Sequence, residues 1–172
     1  MAITRYANNP ELLALDRLID RAGSRVCSEV ITQIGVDNHN LPIWAITLGN
    51  RNPDCPAVGF FGGVHGVERI GSQVLIAYLS NLVERLTWDN TLHDLLTQVR
   101  LVFVPIVNPG GFLRGTRANP NGVDLMRHAP IDASTDVASW TRSLAGMWQR
   151  TLCAGPTASS SGDWPSHSPS VT

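Results

Sequence analysis

Ala57-Val-Gly-Phe-Phe61, running into Gly62-Gly-Val-His-Gly-Val-Glu68, is the stretch on which the fold turns. Five small or apolar residues in a row suit a strand buried on both faces. Gly62 and Gly63 then break the run. From about Glu68 to Leu86 the spacing becomes helical, with Val74, Leu75, Tyr78, Leu79 and Leu82 on one stripe. A second short helix is expected around Thr91 to Leu96, and Val99 to Val107 reads as another buried strand. Strand, helix and parallel strand make a βαβ unit. It predicts an α/β domain whose mixed, mostly parallel sheet is flanked by helices.

Working upstream, Pro10 to Ala22 places Leu12, Leu13, Leu15, Leu18 and Ile19 on one face and Asp16, Arg17, Asp20 and Arg21 on the other. That is an amphipathic helix, ended by Gly23. Glu29 to Ile34 and Leu41 to Leu48 are β-rich and flank a turn-like insert at 35–40, which predicts a hairpin. Downstream, Asn108 to Gly122 reads as loop and Val123 to Leu125 as a short extended piece. Past Pro130 the periodicity lapses. Residues 131–172 hold three of the five Trp among many Ser, Thr and Pro, and 158–162 is low in complexity. The expected division is an α/β portion over 1–130 and an irregular tail over 131–172, with a frameshifted or truncated gene product as one origin of the tail.

Composition narrows the partners. A chain of 172 residues is a normal length for one domain, and a net charge of −1 gives no electrostatic reason to bind nucleic acid or an anionic membrane. All thirteen basic residues are Arg. Three widely spaced cysteines, Cys27, Cys55 and Cys153, make neither a disulfide framework nor a CxxC knuckle, which fits a reducing compartment. No apolar run approaches the ~20 residues of a membrane span, and Met1 to Pro10 lacks the apolar core of a secretory leader. The expectation is a cytoplasmic protein.

Two groups of residues carry the chemistry. His65 and Glu68, three apart at a strand-to-helix corner, can converge on one metal ion at the strand end where open α/β sheets place their ligands. The second group is Asn108-Pro109, then Arg114, Arg117 and Asn119, then Gly122-Val-Asp-Leu-Met-Arg127. Arginines beside a metal corner suit an anion: one can steady an oxyanion and another can clamp a carboxylate.

The order and spacing of the two groups, from about Ala57 to Pro130, resemble the zinc carboxypeptidase (carboxypeptidase A-like) family. The resemblance implies Zn2+ as cofactor with His65 and Glu68 as ligands. It implies Arg117 polarising the scissile carbonyl, and Arg127 and Asn119 binding substrate, with Arg127 on the terminal carboxylate. The implied activity is hydrolysis of a C-terminal peptide bond. A related zinc amidohydrolase of the aspartoacylase and succinylglutamate desuccinylase type, acting on acyl-amino acids, is the alternative; a catalytically dead fragment is another. Two departures matter. Met126 stands where the family usually has Asn, and a thioether cannot donate a hydrogen bond. The family also supplies a third ligand His and a general-base Glu from later in the domain, whereas no Glu follows Glu84 here and only His128 and His167 remain. Weak or absent activity of this chain is therefore expected. His39 and His93 read as surface or satisfied histidines.

Overall fold

The computed structural model describes residues 9–127. The expectations for His128, His167 and the tail 131–172 lie outside these residues.

Helix α1 (Pro10–Ala22) starts where Asn9 accepts a hydrogen bond from the Leu12 N–H and Pro10 fills the first helical position. It buries Leu12, Leu15 and Leu18. Strands β1 (Cys27–Val36) and β2 (His39–Gly49) form the expected hairpin, pairing antiparallel from Cys27 with Thr47 to Val36 with His39. Their turn is only two residues long. Asp37 and Asn38 both take positive φ, 46° and 65°, which short hairpin loops require and Asn and Asp tolerate.

Strand β3 (Ala57–Phe61) leads into α2 (Arg69–Arg85) and α3 (Asn90–Gln98), and then β4 (Arg100–Val104) runs parallel to β3. The βαβ unit is as expected. Among the described strands the sheet order is β1-β2-β4-β3, so there β4 is inner and β3 is at an edge. Among the described strands one pairing is parallel and two are antiparallel; the sheet is mixed, with its parallel character confined to β3 and β4. "Mostly parallel" is corrected in that respect, because the hairpin contributes both antiparallel pairings.

The core joins one side of α1, the inner face of α2 and the sheet: Leu12, Leu15, Leu48, Leu79, Leu82, Phe103 and Phe112 are all at or below 2% exposure. Two expectations of burial need correction. Strand β3 is exposed along most of its length, with Val58 and Phe61 half open, since among the described strands it has a neighbour on one side only. The α2 stripe is also only partly buried: Leu79 and Leu82 face the core, while Val74 and Tyr78 are exposed. Finally, Asn108 to Gly122 is not all loop, since Pro109–Arg114 forms a short helix, α4. Val123 and Asp124 form no strand, and Leu125 opens a turn that runs to Arg127. The Asn-Pro pair that marked a loop is itself a helix start, with Asn108 as cap and Pro109 at the first turn.

Candidate metal centre

The site forms where the ends of β3 and β4 release the chain on the same side of the sheet. The two segments stay in register past the strands: the Val107 N–H donates to Gly62 O at 2.9 Å and the Asn108 N–H to Gly63 O at 2.9 Å. Gly63 turns the chain at φ 62°, and Gly66 lies against α4 so closely that a Cβ would collide with the Gly111 carbonyl. This contact sets the corner 64–68 directly on the N-terminal turn of α4.

His65, 7% exposed, is held by both ring nitrogens. Nδ1 lies 3.1 Å from Glu68 Oε1, and Nε2 lies 3.2 Å from Asp124 Oδ1. Arg117 closes the cluster. Its Nε donates to Asp124 Oδ2 at 2.9 Å and its Nη1 to Glu68 Oε1 at 3.0 Å. Asp124 is fixed in turn by the Met126 and Arg127 backbone N–H groups, which donate to Oδ1. The Arg117 guanidinium, above all, holds the Asp124 carboxyl well below the usual carboxylate range. Partial burial opposes the shift, while the backbone N–H groups and His65 add to it. Arg117 is raised in return, first by Asp124.

The structure thus brings His65, Glu68 and Arg117 together. Arg127 is looser: its side chain is 78% exposed and its Nε is 3.6 Å from Asp124 Oδ2. The Asn119 Oδ1 accepts from the Asn121 and Val123 N–H groups, so it holds the turn, and only its Nδ2 is left to meet a substrate. Arg114 points elsewhere. It takes the hairpin-turn carboxylate of Asp37 with two donors and the Pro120 carbonyl with a third, so its reading as an anion-handling residue is corrected. His39 Nδ1 and His93 Nε2 each donate to a backbone carbonyl, Asp37 O and Leu86 O, away from the cluster.

Sequence reasoning passed over Asp124. The available signal was chemical: a histidine that ligates a metal needs a partner for its other nitrogen, and a carboxylate is a common one. It also missed the network behind Glu68. Arg69 donates to buried Glu11 at 2.7 Å and to Phe112 O at 2.8 Å, and it lies over the Phe112 ring, which ties α1, α2 and α4 together at the start of α2.

The donor set fits a metal. If Nε2–H is donated to Asp124, Nδ1 turns a lone pair toward a carboxylate, and two acceptors 3.1 Å apart hold together only across a proton or a metal ion. Two donors on one tetrahedral zinc lie about 3.3–3.4 Å apart, given bonds of ~2.0–2.1 Å. Among the described residues no group of three His, Cys, Asp or Glu converges on one point, so this chain shows two candidate donors and not a closed site.

At the carboxyl ends of its two parallel strands the sheet therefore carries a His-x-x-Glu corner with an arginine beside it. The sequence model of the zinc carboxypeptidase family matches residues 19–154, and the chain belongs to that family. It is 30% identical to carboxypeptidase SOL1 of Arabidopsis thaliana over 109 residues, 60% of this chain and 22% of that protein. It is 32% identical to carboxypeptidase E of Caenorhabditis elegans over 123 residues, 60% of this chain and 26% of that one. The chain therefore spans about a quarter of these relatives. Its fold matches a metallo-carboxypeptidase from Burkholderia cenocepacia at TM-score 0.57 and 18% identity, covering 83% of this chain and 37% of the other. A metallo-carboxypeptidase from Pseudomonas aeruginosa matches at TM-score 0.50 and 22% identity, covering 79% and 36%. No helix among the described residues is long and apolar enough to cross a membrane.

Proposed function

We propose that this chain carries the first half of a zinc carboxypeptidase site, with His65 Nδ1 and Glu68 as metal ligands, and that it has little or no turnover on its own. The observation that carries the reading is the meeting of His65 Nδ1 and Glu68 Oε1 at 3.1 Å while Asp124 takes the other ring nitrogen. Asp124 fixes the tautomer and the ring plane, so that the nitrogen facing Glu68 is the one free to ligate. When bound, zinc supplies Lewis acidity toward a carbonyl and acidifies a water.

The chain's own residues do the positioning. Arg117, half exposed beside Glu68, presents its remaining N–H groups to the space over the corner, where they suit the oxygen of a scissile carbonyl as it gains charge. Arg127, largely exposed, is free to close on a substrate carboxylate. Met126, 60% exposed, offers that carboxylate no donor from its side chain, which leaves recognition to the arginines. The substrate class is a peptide or an acyl-amino acid with a free carboxylate. Low turnover is expected because no Glu follows Glu84 to serve as the family's general base, a contribution of about 10²–10⁴-fold.

Zinc content after dialysis and hydrolysis of a panel of small peptides and N-acyl-amino acids test the reading. Substoichiometric zinc that disappears in His65→Ala, with no cleavage above that control, is the expected result. Zinc that persists in His65→Ala would remove the ligand assignment; stoichiometric zinc with His65-dependent cleavage would overturn the expectation of low turnover.

A further inference from the structure

Asn108 is 2% exposed, and its side chain touches three separate segments. Oδ1 accepts from the Gly111 N–H at 2.8 Å, while Nδ2 donates to Val64 O at 3.2 Å and to Ala118 O at 3.2 Å. Val64 immediately precedes His65, and Ala118 immediately follows Arg117. Room for the amide comes from Gly111, where a Cβ would stand 2.5 Å from Nδ2 and 2.9 Å from Ala118 O.

Capping a helix does not call for this residue. Ser, Asp and Asn serve nearly equally as N-caps, because the cap needs only an acceptor. Bridging two carbonyls while capping needs an acceptor and two N–H donors on one short side chain, and among the short cap residues only Asn has both. We propose that Asn108 is a positioning residue: its amide sets the spacing between the His65–Glu68 corner and Arg117. Its importance for catalysis rests on the reading of Arg117 given above; the spacing itself does not.

The test uses the full chain without metal, so that its failure is distinct from failure of the zinc reading. Arginine Nε–H resonances are recorded by ¹⁵N–¹H spectroscopy, with Arg117 assigned through Arg117→Lys. In the parent chain the Arg117 Nε–H, bonded to Asp124, is expected to be shifted and slow to exchange. Asn108→Ser retains a cap but cannot span both carbonyls. It should fold, and its Arg117 signal should move to the position and exchange rate of a free arginine. Ser72→Ala, which removes a buried bond to Pro105 O of 2.6 Å, serves as the control for lost stability alone. It should leave the Arg117 signal in place. An unchanged Arg117 signal in folded Asn108→Ser, or an equal change in Ser72→Ala, overturns the proposal. Should Asn108→Ser fail to fold, the parent chain still decides: both Asn108 Nδ2 protons must exchange slowly, and exchange as fast as in a free amide overturns it.

Discussion

Strands β3 and β4 are both five residues long and mostly apolar, and they pair in parallel over all five residues of β3. Their surroundings differ. β4 lies between β2 and β3, and its Phe103 is wholly buried, stacked on Phe60 with ring centroids 4.7 Å apart. Among the described strands β3 has β4 as its single neighbour, and Phe61 is 49% exposed. The exposure continues onto α2, where Ile70 is 74%, Val74 59% and Tyr78 42% open. Composition records the burial a strand is suited to; its place in the sheet decides how much of that burial is realised.

Substitutions can break or sharpen this contrast. Phe103→Ala should cost about 3–5 kcal/mol in urea unfolding, the range for truncating a buried aromatic. Phe61→Ala should cost only about 1 kcal/mol, since half of the ring's burial is absent already. Equal losses would mean that β3 is covered in solution. An effect smaller than that of Phe103→Ala is expected where the two strands release the chain. Gly66→Ala drives a methyl into the Gly111 backbone, which cannot yield as a side chain could, and should destabilise by about 1–3 kcal/mol. If it unfolds as the parent does, α4 does not sit on the corner as described. Phe61→Lys should cost no more than Phe61→Ala and lower light scattering at high concentration, because a charge on an apolar edge opposes edge pairing. Unaltered scattering would remove β3 as the sticky edge.

The smallest effect concerns the crossover that brings β4 beside β3. Asp89 caps α3 and pairs with Arg85, and the Arg85 hydrogen bond lowers its carboxyl below the ordinary value. A carboxyl depressed on folding adds stability that is complete above its unfolded value, ~3.9, and is lost as pH falls through the folded value. Asp89→Asn keeps the cap and removes the charge, so below about pH 4 the stability gap between it and the parent should narrow. A constant gap from pH 7 to pH 2 would show that the ion pair contributes nothing.

The sequence displayed the hairpin, the βαβ unit, α1 and the His65–Glu68 corner because each rests on local signals: period, turn residues and three-residue spacing. It did not display the exposure of β3, since burial depends on neighbours that periodicity cannot name. Nor did it show α4, whose six residues are too few for a period and whose start, Asn108-Pro109, reads equally well as a turn. Asp124 and Asn108 were visible as parts of a motif but not as parts of a site. What they do depends on partners 59 and 44 residues away, and no local spacing encodes that.

The backbone around Arg117 bears on binding entropy. The Thr116 N–H is bonded to Gly111 O, Ala118 O receives both Asn108 Nδ2 and Thr116 Oγ1, and the Asn119 N–H is bonded to Val123 O. An exposed loop of this length would ordinarily lose about 1–2 kcal/mol per residue of backbone freedom on closing over a ligand. Here that ordering has already occurred in folding. A ligand arriving at Arg117 meets a guanidinium already bonded to Asp124 and Glu68, so even the rotamer freedom of that side chain, about 2 kcal/mol at most, is largely lost before binding. Binding at this arginine should therefore cost little ordering entropy, and its affinity should rest on how well a ligand competes for donors that Asp124 and Glu68 now occupy.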